Sequence, residues 1–138
     1  MRKLDKIENA RILVIDDEPL IRMTVCKALG RFGVKELRQA ADGEAGFQLT
    51  TTFLPDLVFC DVHMPNMTGI EYLEKVRTTP VTAINPTPVV FLTSDRQEDV
   101  VVIAKSLNVN GYIVKPVTVP PLQKYLEKIL KVFVPRLA

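Results

Sequence analysis

Five short runs of β-branched and other apolar residues, each followed by a segment of helical periodicity, extend along this chain. Such alternation returns the chain to the same end of each new strand, and a parallel sheet covered by helices on both faces satisfies it. The runs are residues 11–15, 36–40, 57–60, 89–92 and 112–114. Most are almost continuously apolar, as strands buried on both faces must be. The first, third and fourth are expected at the centre of the sheet. The fold class is therefore α/β, a doubly wound five-stranded sandwich.

The helices are read from periodicity and from their ends. Residues 19–32 place Ile21, Val25, Ala28, Leu29 and Phe32 on one face, with Pro19 suited to the first turn and Gly33 to the stop. Thr68 followed three residues later by Glu71 is a capping-box pattern, which predicts a helix over 68–77. The last helix is expected over 120–132, burying Leu122, Leu126, Ile129 and Phe133. Further helices are expected after Asp42 and after Glu98. In the latter, Val100, Ile103, Ala104 and Leu107 form the inward stripe, Val102 faces solvent and Val101 lies on the flank. Residues 78–88, with Pro80, Pro86 and Pro88, can only be a loop. No repeat, linker or low-complexity tract interrupts the pattern, so one domain over 1–138 is expected, with a core of about 10–134.

Composition excludes several function classes. Against 16 acidic residues stand 18 Lys and Arg, a formal charge of +2, which gives no electrostatic footprint for nucleic acid or membrane. The longest apolar run, 100–104, is far short of the ~20 residues a membrane-spanning helix needs. The N-terminus is charged and lacks the apolar stretch of a secretory signal, so a cytoplasmic protein is expected. Cys26 and Cys60 have no CxxC spacing and read as reduced, buried thiols.

In a parallel sheet every strand-to-helix loop opens on one edge, where ligands bind. The first strand ends in Asp16-Asp17-Glu18, the third in Asp61, the fourth in Thr93-Ser94 and the fifth in Lys115-Pro116. The second contributes only Asp42-Gly43, which reads as a helix cap. Asp16, Asp17 and Asp61 at one rim repel each other and resist joint ionisation unless a cation sits among them. Oxygen ligands with room for water suit Mg²⁺, and no His or Cys cluster favours zinc. A lysine and a hydroxyl aimed at the same point complete a site for a tetrahedral anion such as a phosphoryl group, with one carboxylate as nucleophile.

Four motifs, residues 14–18, 57–69, 89–94 and 111–116, read VIDDE, LVFCDVHMPNMTG, VVFLTS and GYIVKP. Together they make the chain resemble a response-regulator receiver domain of the CheY-like, stand-alone type, over nearly its whole length. The resemblance implies a flavodoxin-like strand order of 2-1-3-4-5. It also implies that Asp61 accepts a phosphoryl group from a histidine kinase or phosphotransfer protein. Asp17, Asp61 and the backbone carbonyl of His63 would bind Mg²⁺ directly, and Asp16 largely through water. Lys115 would pair with the phosphorylated carboxylate, Thr93 would donate its hydroxyl to the phosphoryl oxygens, and Tyr112 would swing inward behind Thr93. A cis Lys115–Pro116 bond is expected on the same grounds, because the ammonium must aim back at Asp61. Phosphorylation would be read by a protein docking on the fourth helix, fifth strand and fifth helix.

The interval from Asp61 to Thr93 runs slightly long for the family, and the excess falls in the proline-rich loop on the face away from the site. His63 occupies a variable position and is expected as an exposed residue that tunes phosphoryl lifetime. Hydrolases of the haloacid dehalogenase kind share the aspartyl phosphate but carry Asp-x-Asp on the first strand, where this chain has adjacent acids. The alternatives within the receiver fold are a phosphorelay intermediate and an unphosphorylated interaction domain.

Overall fold

The computed structural model describes residues 3–94 and 98–136, the side chains of 98–101 excepted. Five strands are present: β1 (Arg11–Ile15), β2 (Glu36–Ala40), β3 (Leu57–Asp61), β4 (Val89–Thr93) and β5 (Gly111–Val114). They alternate with helices α1 (Pro19–Arg31), α2 (Gly43–Phe53), α3 (Gly69–Thr78), α4 (Glu98–Ser106) and α5 (Val119–Leu130). All pairings are parallel, and the order is β2-β1-β3-β4-β5. This is the flavodoxin-like α/β fold, with the first, third and fourth strands inside the sheet as expected.

Strand side chains alternate between the two faces, and the core divides accordingly. Ile12, Val14, Phe59, Val90 and Leu92 meet Val25 and Leu29 of α1 and Leu122 and Leu126 of α5. Leu13, Ile15, Val58, Cys60 and Phe91 meet Tyr72, Leu73 and Val76 of α3 and Ala104 of α4. Every residue of β3 and β4 is buried, the pattern of strands covered on both sides. In β2 only Ala40 is buried, and exposed Glu36 and Arg38 mark it as a charged edge strand.

The helix starts follow the sequence signals. Asp42 Oδ1 accepts from Ala45 N at 2.8 Å, capping α2. At α3 both halves of the capping box form, Glu71 N to Thr68 Oγ1 at 3.2 Å and Thr68 N to Glu71 Oε1 at 3.1 Å. The proline-rich loop is tied down by Arg77, whose guanidinium donates to the carbonyls of Asn85, Thr87, Leu107 and Asn108.

Three expectations are corrected. Phe133 is 81% exposed, because α5 stops at Leu130 and Lys131 turns the chain at a left-handed φ of 55°. Beyond that turn the period becomes two, so Val132 and Val134 are buried and Phe133 points outward. Ile103 is 48% exposed, so the inward stripe of α4 rests on Ala104 and half-buried Leu107, while Val102 faces solvent as expected. The side chains of Val100 and Val101 lie outside the described residues. Cys60 is buried, but Cys26 is only half-buried.

Candidate functional site

Parallel packing brings the strand ends to one edge. Asp16 follows β1, Asp61 closes β3, Thr93 closes β4 and Lys115 follows β5. Asp16, Asp61 and Thr93 are all buried. Lys115 Nζ lies between the two acids, 3.1 Å from Asp16 Oδ2 and 3.2 Å from Asp61 Oδ1. A third contact, to Glu18 Oε1 at 3.7 Å, joins an exposed carboxylate and contributes little. The Lys115 backbone N–H donates to Thr93 O at 2.7 Å, which locks the loop after β5 to the end of β4. The Lys115–Pro116 bond is cis, as expected.

The β3–α3 loop sets the approach to Asp61. Asn66 takes a left-handed φ of 69°, a conformation that asparagine tolerates better than most residues. Gly69 starts α3 against the end of β3, its N–H donating to Val62 O at 2.8 Å. A Cβ at position 69 would collide with the Asp61 carbonyl, so only glycine permits this approach.

The electrostatics follow from burial. Desolvation and then the Asp16 carboxylate push the Asp61 acid up to about 6, against the pull of Lys115 in the opposite direction. A hydrogen bond with Asp17 also raises it. Burial pulls the Lys115 ammonium down, but Asp61 and Asp16 outweigh burial and the net direction is up. Cys60, beside the site, is pushed far up by burial and by these acids, which makes it an inert thiol.

The donors fit a hard divalent ion. One carboxylate oxygen from each of Asp16, Asp17 and Glu18 lies within 4.8 Å of the others. Asp16 Oδ2 is buried with no aligned hydrogen bond, its Lys115 contact being an ion pair. Oxygen donors facing water suit Mg²⁺.

The remaining predicted residues fall as follows. The His63 side chain is exposed, two residues past Asp61. Tyr112 is half-buried on β5, its ring centroid 6.4 Å from that of Phe91. One residue near the site, Arg22, carries no pattern in the sequence, and Tyr125 is tied to Tyr112 of β5. Arg22 Nη1 donates to Asp16 O at 2.6 Å, and Tyr125 Oη bonds both the N–H and the carbonyl of Tyr112.

Fold and site together define a doubly wound protein with a lysine-bridged acidic pocket at the reversal point of its strand order. Residues 12–127 match the response regulator receiver domain, and the chain belongs to that family, the signalling modules of two-component systems. It is 32% identical over 122 residues to the probable chemotaxis protein CheY of Rhizobium etli, covering 88% of this chain and 93% of that protein. It is also 34% identical to the nitrate/nitrite response regulator protein NarL of Escherichia coli K12, covering 88% of this chain and 55% of NarL. The solved structure of Vibrio cholerae CheY4 superposes with a TM-score of 0.80 at 31% identity, over 88% of this chain and 98% of that one. Membership of this family implies phosphorylation-dependent signalling. Among the described residues no helix is long and apolar enough to cross a membrane.

Proposed function

We propose that Asp61 is the phosphoacceptor of a two-component response regulator, charged by a histidine kinase or by a phosphotransfer protein. The Asp61 oxygen attacks phosphorus, the bond from phosphorus to imidazole nitrogen breaks, and the nitrogen leaves with the electron pair. Asp16, Asp17, Asp61 and the His63 carbonyl would hold Mg²⁺. When bound, the ion neutralises charge on the transferring oxygens. Lys115 orients the Asp61 carboxylate and then pairs with the phosphorylated one, and Thr93 donates its hydroxyl to the arriving oxygens. Tyr112 moves inward behind Thr93, and a downstream protein reads the change on the α4-β5-α5 face. Residues 1–138 act as one receiver unit, in the cytoplasm, without binding nucleic acid or membrane.

The observation that carries this reading is the position of Lys115, within 3.2 Å of both Asp16 and Asp61 at the end of a parallel sheet. Incubation with Mg²⁺ and acetyl phosphate should add one phosphoryl group to the wild type and none to Asp61→Asn, read by intact mass. A chelator should stop the labelling. Equal labelling of the variant would reject Asp61, and undiminished labelling in chelator would reject the metal requirement. No labelling of the wild type by any donor would favour the unphosphorylated interaction domain.

A further inference from the structure

The acidic corner depends on a backbone geometry that the acids do not set by themselves. At Asp16 strand β1 has ended, and the Asp16 N–H still finds Ala40 O at 3.1 Å. The Asp16 carbonyl belongs to the peptide that leads into Asp17. Arg22 Nη1, one turn into α1, donates to that carbonyl at 2.6 Å, a short charge-assisted bond. The same guanidinium is oriented from behind, its Nε donating to Gln39 Oε1 of β2 at 3.3 Å. The Arg22 backbone N–H closes the first helical turn on Glu18 O at 3.1 Å, and Glu18 N donates to Asp16 Oδ1 at 2.9 Å.

Four bonds thus fix the segment Asp16-Asp17-Glu18, and the one made by the Arg22 side chain, to the Asp16 carbonyl, is the bond that substitution at Arg22 removes. A peptide is planar, so holding the Asp16 carbonyl sets the direction in which the chain leaves Asp16 and the Asp17 side chain is launched. We propose that Arg22, braced by Gln39, is a positioning residue that aims Asp17 at the cation site. This rests on the reading of that corner as the Mg²⁺ site. It also assigns β2 a part in the site beyond the Asp42 cap, through Gln39.

The sign of one measurement separates this role from a simple electrostatic one. If Arg22 were only a nearby positive charge, removing it would make the corner more negative and tighten Mg²⁺ binding. If it positions Asp17, removing it weakens binding, because outer groups that orient ligands typically carry 10–100-fold in metal affinity. Mg²⁺ binding is measured by titration calorimetry on the wild type, Arg22→Ala, Arg22→Lys and Gln39→Ala. Arg22→Ala should weaken binding about tenfold. Arg22→Lys should recover part of the loss, and Gln39→Ala, an exposed residue with no part in the fold's core, should lose less than Arg22→Ala. Tighter or unchanged binding in Arg22→Ala would overturn the proposal. If Arg22→Ala fails to fold, the Gln39→Ala result decides alone, and unchanged affinity there overturns it. Asp17→Asn is the control for the underlying reading. Full Mg²⁺ affinity in that variant would reject the cation site itself, whereas its loss together with unchanged affinity in Arg22→Ala would reject only the role of Arg22.

Discussion

Asp61 is held in a state that favours its proton. Burial and the Asp16 carboxylate raise its acid from the ordinary 3.8 to about 6, so between those values the folded chain keeps a proton that the unfolded chain has released. When the folded state binds more protons, stability falls as pH rises. The penalty is absent below about pH 4, grows as pH rises through the folded-state value, and is complete above it. Asp61→Asn removes the ionised group, and in chelator at pH 7.5 it should be more stable than the wild type by about 1–2 kcal/mol, reduced from the full shift because water reaches the rim. At pH 4 the two should melt together. Denaturant titrations at both pH values check this, and equal stability at pH 7.5 would show that the Asp61 charge is not destabilising. Asp16, Asp17, Asp61, Thr93 and Lys115 were legible in the sequence because parallel strands carry their final residues to a common edge. Arg22 and Gln39 were not, since one helix side chain reaching a strand-end carbonyl leaves no period and no spacing.

At the level of elements, β5 shows how an edge strand is finished. In its pairing with β4 the Tyr112 N–H and carbonyl face away from the sheet, and Tyr125 Oη accepts from one at 3.2 Å and donates to the other at 3.1 Å. The Tyr125 ring lies where a Cβ on residue 111 would be, so Gly111 is what admits it. An edge left open invites pairing with another chain, and here α5 closes it with one hydroxyl. Tyr125→Phe keeps the ring and deletes both bonds. It should cost about 1 kcal/mol of stability and expose the Tyr112 amide, which should exchange roughly tenfold faster by NMR hydrogen exchange. Unchanged exchange at Tyr112 would show that the hydroxyl does not protect the edge. Element identity was readable throughout, most sharply where a cap supported the periodicity, as at Thr68 and Asp42. Element ends and inward faces were misread where periodicity was extended without a stop signal. Nothing in the sequence marked Lys131 as the residue that would turn the chain, so Phe133 was assigned to a helical stripe that ends at Leu130. Ile103 was misplaced for a related reason, because five apolar residues in succession, 100–104, give α4 no unique inward face.

For the whole molecule the question is how an event at one edge reaches a partner. The acidic pocket and the α4-β5-α5 face are joined through β4 and β5, where Thr93 O accepts from Lys115 N at 2.7 Å and the Tyr112 ring packs toward Phe91. That face carries Val102, Ile103 and Val114, exposed by 66%, 48% and 40%, together with exposed Lys105. Single exposed valines are ordinary, but three apolar side chains and a cation on adjoining elements form the mixed composition that suits docking. In a two-state switch, a ligand shifts the balance only through contacts that differ between the states. In the switch proposed above, the differing contact would be the Thr93 hydroxyl, drawn toward the phosphoryl oxygens and leaving space that the Tyr112 ring would enter. Beryllium fluoride with Mg²⁺, as a phosphoryl mimic at Asp61, should therefore alter amide hydrogen exchange in residues 94–107 and around Tyr112 as well as in the loops after Asp17 and Asp61. Asp61→Asn should abolish both sets of changes. Changes confined to the two loops, with none across α4 or at Tyr112, would mean that the phosphorylated state is read on a different face.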